Sequence, residues 1–210
     1  MEEMPENWEK PYDSTNPVIC MDEQPAQLLK ETRVPVEATM DPPKQVDYEY
    51  KRNGTASIFM FAKPLSGFRR ATAREHRTKV DWAREVAILL DTQYTNCSRV
   101  KLVLDNLNMR TKGKSYDVFE PAVARAYVRR IEFVYMFKQG CWLNIAEGEL
   151  TAMTCQCLAG RRVGELHELQ EETAVWPDYV NAKHHRVDWQ LQIDEARTKI
   201  ARLYPKIKTG

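Results

Sequence analysis

Long hydrophobic runs are missing from this sequence of 210 residues. No apolar stretch approaches the ~18 residues that a membrane-spanning helix needs. The first residues, Met-Glu-Glu-Met-Pro-Glu, are acidic, whereas a secretory signal peptide begins with positive charge and continues into an apolar segment. We therefore expect a protein without a membrane span or a membrane partner, located in the cytoplasm.

Paired cysteine motifs are missing as well. The chain has five cysteines, which is an odd number, and they lack the C-x-x-C spacing of a zinc site. Their positions are Cys20, Cys97, Cys141, Cys155 and Cys157. This pattern favours reduced thiols in a cytoplasmic protein.

An excess of charge of one sign is also absent. Lys and Arg number 31, and Asp and Glu number 30, so the net charge is +1. Any site for a polyanion must therefore be a local patch, because the protein as a whole is not basic. The length and the 43% content of hydrophobic residues suit one globular domain with a sizeable core.

A short apolar strand followed by an acidic turn is present at residues 100–108, Val-Lys-Leu-Val-Leu-Asp-Asn-Leu-Asn. Its β-branched and aliphatic residues predict a buried strand, and Asp-Asn is a turn-forming pair. Asp105 is thus predicted at the carboxyl end of a central strand. Ligand sites of open α/β sheets form outside such strand ends.

Two further acidic residues stand in comparable contexts. Asp22 follows the predicted strand Pro-Val-Ile-Cys-Met, and Glu147 follows Trp-Leu-Asn-Ile-Ala in the first turn of a helix that Asn144 begins. Carboxylate oxygens are the ligands that hard divalent cations prefer. We interpret Asp22, Asp105 and Glu147 as one metal site.

Local patterns predict five strands with helices between them. The strands are predicted at residues 17–21, 55–62, 68–74, 100–104 and 131–137. The helices are predicted at 78–90 with Thr78 as N-cap, 117–129 with Pro121 in its first turn, 144–158 ended by Gly160, 165–175 and 193–203. Residues 24–50 contain four prolines and are predicted to cross over the sheet, with one short helical or extended piece around residues 26–31, and Asn53-Gly54 is predicted as a turn.

This order of elements predicts an α/β protein of the ribonuclease H-like, retroviral-integrase-like class. Its mixed five-stranded sheet is flanked by helices, strands one and four are neighbours, and further helices follow at the C-terminus. The predicted organisation is a lead-in at residues 1–16, a catalytic domain at 17–160 and a helical extension at 161–210.

Several ordered motifs resemble a known family. They are Cys-Met-Asp-Glu-Gln-Pro at 20–25, Asp-Tyr-Glu-Tyr-Lys-Arg-Asn-Gly-Thr at 47–55, Arg-Thr-Lys-Val-Asp-Trp at 77–82, Leu-Asp-Asn-Leu-Asn at 104–108, Trp-Leu-Asn-Ile-Ala-Glu at 142–147 and Arg-Leu-Tyr-Pro at 202–205. Each alone is weak, but together they span most of the chain. The set resembles the catalytic domain of bacterial mariner-type transposases, the insertion-sequence-630 family, whose catalytic residues are Asp, Asp and Glu.

The resemblance implies a metal-dependent enzyme that cleaves DNA at element ends and joins the 3′-hydroxyl to target DNA. Asp22 would bridge two Mg²⁺ or Mn²⁺ ions, Asp105 would hold one and Glu147 the other, as in two-metal phosphoryl transfer. The implied partners are element-end and target DNA and a second copy of the chain in the DNA complex. The implied location is the cytoplasm, in association with the nucleoid.

Each acidic residue also has a simpler interpretation. Asp22 could end a strand in a turn, Asp105 could cap its own turn, and Glu147 could be a surface acid that the helix dipole favours. Their occurrence together on this topology favours catalysis. Glu23 is predicted on the opposite face of the strand from Asp22 and is a lesser candidate.

Basic and amide residues suggest where DNA would bind. Phosphate contacts are predicted for Arg69, Arg70, Arg74, Arg77, Lys79, Asn106 and Asn144. A solvated strand and helix face explains the basic cluster equally well, and Asn144 could be an N-cap. His184-His185 lacks partners at ligand spacing, which favours a surface role.

Two departures from the family pattern raise a second hypothesis. Met109 and Arg110 replace the usual Thr-His, and Gly148 stands just after Glu147, where family members tend to be aliphatic. No segment before Pro17 predicts the three-helix, helix-turn-helix region of the family. We therefore expect a catalytic half, from a split frame, a truncated gene or a cloned piece, which depends on a separate DNA-binding module. The alternatives are a nuclease that only hydrolyses DNA and an inactive remnant that binds DNA or protein.

Overall fold

One mixed sheet of five strands organises the chain, and the computed structural model describes residues 12–32, 49–105, 112–136, 144–187 and 198. The strands are β1 (Val18–Glu31), β2 (Tyr50–Lys63), β3 (Phe68–Arg74), β4 (Val100–Leu104) and β5 (Ile131–Tyr135). Their spatial order is β3-β2-β1-β4-β5. The β1–β2 and β2–β3 pairs are antiparallel, whereas β4 lies parallel to both β1 and β5. The prediction that strands one and four are neighbours is confirmed.

Helices cover both faces of this sheet. They are α1 (Lys79–Thr92), α2 (Pro121–Arg130), α3 (Ile145–Met153) and α4 (Leu166–Ala182), with a 3₁₀ turn at Lys112–Asp117 and a π turn at Thr154–Leu158. On one face, α3 and α4 pack on side chains such as Cys20, Met60 and Val103. On the other face, α1 packs through Trp82 and its neighbours on Met21 and Leu102. Alternate residues of each strand therefore belong to different cores.

Three local predictions are confirmed. The strand predicted at residues 68–74 is β3. Thr78 is the N-cap of α1 and forms a capping box with Asp81, and Pro121 lies in the first turn of α2, where its missing N–H is harmless. Each of these signals depends only on neighbouring residues, so tertiary packing did not have to be known.

The first strand is much longer than predicted. Residues 24–31 continue β1 instead of crossing over the sheet, and Asp22 therefore lies inside the strand rather than at its end. Among the residues that the structure describes, β1 pairs only with β2 beyond Cys20. Pro25 is tolerated in such a one-sided stretch because its missing N–H can face the unpaired side.

The predicted Asn53-Gly54 turn is wrong, because both residues lie within β2. The β1–β2 register shifts between Gln27 and Leu29, so Asn53 and Gly54 together oppose Leu28. Gly54 has φ = +103°, a conformation that glycine adopts without strain. The Asn-Gly pair therefore forms a β-bulge in a continuing hairpin.

The helical boundaries near the C-terminus also differ. The helix predicted at 144–158 is α-helical only to Met153 and then widens into the π turn, and Gly160 follows at φ = +73°. The helix predicted at 165–175 continues to Ala182 through Pro177. The helix predicted at 193–203 lies outside the described residues, except for Thr198. Across the described ranges, no helix is both long enough and apolar enough to span a bilayer.

Candidate active site at the end of β4

The two predicted aspartates lie on neighbouring strands. The parallel β1–β4 register pairs Val18 with Lys101 and Cys20 with Val103. This pairing ends at Cys20 and Val103, and Asp22 and Asp105 each stand two residues further along, just past the last residue of β4 in the case of Asp105. Side chains at paired positions of parallel strands point to the same face, and neighbouring strands are about 4.8 Å apart. The two carboxylates therefore share the face that carries α3.

Both aspartates are half-buried at this position. The backbone N–H of Glu23 donates to Oδ1 of Asp22 at 2.8 Å, which fixes the orientation of the carboxylate. The strand parity also puts Glu23 on the opposite face, as predicted. The local structure thus presents Asp22, and not Glu23, toward α3.

Asn144 attaches the start of α3 to this end of the sheet. It is the N-cap, and its Oδ1 accepts from the N–H of Ala146 at 3.2 Å. Its Nδ2 donates to the carbonyl oxygen of Met21 at 3.2 Å, next to Asp22. With 3% of its surface exposed, Asn144 uses its amide for capping and docking. The structure thus supports the N-cap interpretation over a phosphate contact.

The Cys20 thiol of β1 also contacts the start of α3. Burial raises its pKa to about 12, while the backbone N–H groups of Ile145 and Ala146 oppose part of this shift by hydrogen bonding. These two residues form the first turn of α3. The positive end of the helix therefore lies over β1, within reach of the Asp22 position.

Glu147 lies in that first turn, where the helix dipole favours negative charge, but its side chain is exposed. Within the described ranges, no group of three or more His, Cys, Asp or Glu residues is close enough to hold a metal ion. The structure therefore brings Asp22 and Asp105 to adjacent positions and α3 to the same edge, without closing a three-carboxylate cluster. Residues 106–111 and 137–143 lie outside the described residues, and Asn106 is among them.

The predicted basic cluster does not form one surface. Arg69 is only 6% exposed and pairs with Glu149 of α3, with Nη2 and Oε1 2.7 Å apart. Arg70 and Arg74 point to the opposite face, toward α1. Arg77 and Lys79 are exposed, and Lys79 binds Asp117 at 2.8 Å. This contact lowers the pKa of Asp117.

Arg70 and Arg74 share one buried carboxylate. Glu85 is 2% exposed, its Oε1 lies 2.6 Å from Nε of Arg74 and its Oε2 lies 2.9 Å from Nη1 of Arg70. The three side chains line a cleft of about 310 Å³ between α1, α4 and the edge strand β3. Two arginines against one glutamate leave this cleft with a local positive charge.

The sequence did not point to Glu85 or Glu149 as partners of the arginines. Glu149 is 80 residues from Arg69, and no local pattern indicates such a pair. Trp82, next to the predicted basic cluster, is buried and packs 6.1 Å from Phe133 between ring centroids. His184 and His185 are exposed, in agreement with a surface position.

Comparison with known sequences identifies a family for most of this region. Residues 17–170 match the model of the family described as DDE superfamily endonuclease. The matched range contains Asp22, Asp105 and Glu147. No curated protein sequence matches the chain.

Three solved structures are similar in fold. The crystal structure of the Mos1 strand transfer complex has 12% sequence identity and a TM-score of 0.51, and the match covers 95% of this chain and 54% of that chain. The Mos1 mariner paired end complex with Mn has 12% identity and a TM-score of 0.49, with coverages of 90% and 53%. A simian T-cell lymphotropic virus intasome in complex with PP2A regulatory subunit B56 gamma has 11% identity and a TM-score of 0.47, with coverages of 94% and 59%.

Of these three likenesses, the first has a TM-score above 0.5, and its identity is so low that it shows the fold alone. Together with the strand order, it confirms the predicted mixed five-stranded sheet of the ribonuclease H-like class. The chain spans about half the length of the proteins in these structures.

Proposed function

Because the chain belongs to the DDE superfamily endonuclease family, we propose that it is the catalytic domain of a bacterial mariner-type transposase of the insertion-sequence-630 family. Its reaction is cleavage of DNA at element ends, followed by attack of the 3′-hydroxyl on target DNA. The observation that supports this proposal is the parallel β1–β4 pairing, which ends two residues before Asp22 and Asp105, next to the start of α3.

The proposed site residues are Asp22, Asp105 and Glu147, which would together hold two Mg²⁺ or Mn²⁺ ions. Their donor atoms are carboxylate oxygens, which fit a hard divalent cation better than a softer metal. Two such ions, when bound, supply an activated water or 3′-hydroxyl on one side of the phosphorus and stabilise the leaving oxygen on the other.

The chain itself supplies position. The Glu23 N–H orients Asp22, the parallel β1–β4 pairing brings the strand that precedes Asp105 beside β1, and the Asn144 amide holds the helix that carries Glu147. These contacts fix the Asp22 carboxylate and the start of α3, while the exposed side chain of Glu147 would complete the site when metal binds.

DNA contacts of two kinds are proposed. The exposed residues Arg77 and Lys79 would contact phosphates directly, together with Asn106, which follows Asp105 in the sequence. Arg70 and Arg74 would act through the positive cleft that they share with Glu85. A homodimer on DNA, a separate helix-turn-helix module and a nucleoid location belong to the same proposal.

The test uses the full chain, a duplex that carries the element ends, a supercoiled target plasmid and Mg²⁺ or Mn²⁺, with and without a separately supplied DNA-binding module. We expect metal-dependent nicking and joined products from the wild type, and a loss of at least about 100-fold in Asp105→Asn and Glu147→Gln. Glu171→Gln, an exposed isosteric change on α4, is the matched control and keeps activity.

Other outcomes assign the alternatives. Cleavage without any joined product would replace the transposase by a hydrolytic nuclease. Equal activity of the two variants and the wild type would remove Asp105 and Glu147 from the site and contradict the proposal. No metal-dependent product from the wild type, even with the DNA-binding module, would contradict the proposal and support the inactive remnant.

A further inference from the structure

A buried ion pair joins the edge strand β3 to α3, the helix that carries Glu147. Nη2 of Arg69 lies 2.7 Å from Oε1 of Glu149, and the two side chains are 6% and 12% exposed. Nη1 of Arg69 donates to the carbonyl oxygens of Gly67 and His185. The guanidinium is therefore held at three points, inside the protein.

The backbone of Arg69 is fixed as well. Its N–H donates to Oδ1 of Asn181, and its carbonyl oxygen accepts from Nδ2 of the same side chain, each at 2.7 Å. Asn181 belongs to α4, so one side-chain amide satisfies both polar groups of an edge-strand residue. Arg69 thus has a defined position from which it can orient α3.

The spacing of Glu147 and Glu149 determines what this pair does to the helix. Successive residues of an α-helix are rotated by about 100°. Ala146, Leu150 and Met153 form the stripe that packs on the core. Relative to that stripe, Glu149 lies on one flank and Glu147 on the other.

The strand order shows which strand each flank of α3 faces. Glu149 reaches toward β3, at one edge of the sheet, because its partner Arg69 is there. The opposite flank faces β4, where Asp105 follows the last residue of the strand. A rotation that keeps Glu149 on Arg69 therefore keeps Glu147 on the side of Asp105.

We propose that the Arg69–Glu149 pair is a positioning element that sets the rotation of α3 and thereby directs Glu147 toward Asp22 and Asp105. The apolar stripe alone is a weak determinant of rotation, since Ala, Leu and Met side chains pack in several ways. Buried ion pairs contribute little net stability but can select one arrangement. The inference rests on the proposed function for the role of Glu147, and it replaces the predicted phosphate contact of Arg69.

The test compares Arg69→Gln, Glu149→Gln and the double variant Arg69→Met/Glu149→Met in the full chain. The single variants break the pair and leave one partner buried without its counter-charge. The double variant replaces both charges by apolar groups, which restores stability in many buried pairs. Arg99→Gln is the matched control, because it breaks an exposed pair with Glu132 at the other end of β4.

Three measurements are made on each variant: Mn²⁺ affinity by calorimetry, hydrogen exchange of the amides at 145–153, and affinity for a DNA duplex as a function of salt. We expect Mn²⁺ binding about 10- to 100-fold weaker in both single variants, the range found when groups that orient metal ligands are changed. Exchange at 145–153 rises, and the double variant recovers stability without recovering Mn²⁺ affinity. DNA affinity and its salt dependence stay at the wild-type values.

Two results would overturn the inference. If the single variants bind Mn²⁺ normally but lose DNA affinity with a shallower salt dependence, Arg69 is a phosphate contact. If the double variant regains both stability and Mn²⁺ affinity, the pair is only structural. A wild type that does not bind Mn²⁺ contradicts the proposed function instead, and hydrogen exchange at 145–153 then still decides whether the pair orients α3.

Discussion

Glu85 is a single carboxylate that two arginine side chains share at the α1–β3 contact. Its side chain is 2% exposed, and its two oxygens lie 2.9 Å from Arg70 and 2.6 Å from Arg74. The Arg70 guanidinium also lies over the Phe61 ring, 5.6 Å from its centroid. Arg70 is itself only 14% exposed, so it depends on Glu85 for its counter-charge.

We predict that Glu85→Gln lowers the free energy of unfolding by about 2–4 kcal/mol, because the amide keeps the shape but leaves two guanidinium groups without a counter-charge. Arg74, at 29% exposed, retains some water, which keeps the loss below that of a fully buried pair. Urea unfolding measures the change without adding salt. Glu171→Gln serves as the exposed control, and an equal midpoint for the two variants would contradict the argument.

The sequence showed a cluster of arginines but did not predict which of them are buried. Arg69, Arg70 and Arg74 were grouped as one basic cluster, yet strand alternation sends Arg69 to one face and the other two to the opposite face. The partner of Arg69, Glu149, lies 80 residues away along the chain. The shared partner Glu85 lies 11 residues after Arg74 and 15 residues after Arg70. Only the packing of α1 and α3 decides which arginines become buried.

Helix α3 contains a glycine, Gly148, immediately after Glu147. It is exposed, and a Cβ added there would meet no atom of the described residues within 4 Å. Its backbone is helical, so alanine fits the conformation and reduces the freedom of the unfolded chain.

We therefore predict that Gly148→Ala stabilises the protein by about 0.5–1 kcal/mol. Gly67→Ala is the matched control with the opposite sign, since Gly67 has φ = +76° and its Cβ would lie 2.7 Å from the His185 carbonyl oxygen. For a chain of this size, about 1 kcal/mol corresponds to about 2–4 °C in the thermal midpoint. A lower midpoint for Gly148→Ala would mean that residue 148 is not helical in solution.

Elements with local signals were predictable, and elements defined by pairing were not. The capping box of Thr78 and the N-terminal Pro121 are encoded within a few residues. The continuation of β1 to Glu31 depends on β2, which lies beside it as an antiparallel partner. Without that pairing, Pro25 and the polar residues around it resemble a loop.

For the whole molecule, the central prediction was which strands are adjacent in the sheet, rather than where single strands and helices lie. Placing Asp22 and Asp105 in one site required strands one and four to be neighbours, and the parallel pairing of β1 and β4 meets that requirement. The orientation of the Glu147 side chain could not be predicted, because it depends on how α3 rotates over the sheet.

The predicted boundary at residue 160 separates the catalytic domain from the helical extension. Helix α4 follows it, and Leu169 and Trp176 of α4 are buried in the same core as β1, β2 and α3. Gln170 donates to the Ala73 carbonyl oxygen at 3.1 Å, and Asn181 binds the backbone of Arg69, so α4 also satisfies polar groups of the edge strand. The sheet and α4 therefore share one core.

We predict that a chain ending at Gly160 loses cooperative unfolding and aggregates, because it exposes this core together with an uncovered edge of β3. A milder variant makes the test independent of truncation: Leu169→Ala, at a position 1% exposed, costs about 2–4 kcal/mol through the cavity it leaves. Val175→Ala, on the same helix at 65% exposed, stays within about 0.5 kcal/mol of the wild type. Calorimetry and urea unfolding of the three chains test whether α4 belongs to the catalytic domain. If the chain ending at Gly160 is soluble and unfolds cooperatively, residues 161–210 are a separable extension. If that chain does not fold cooperatively and Leu169→Ala is destabilised as expected, α4 is an integral part of the catalytic domain.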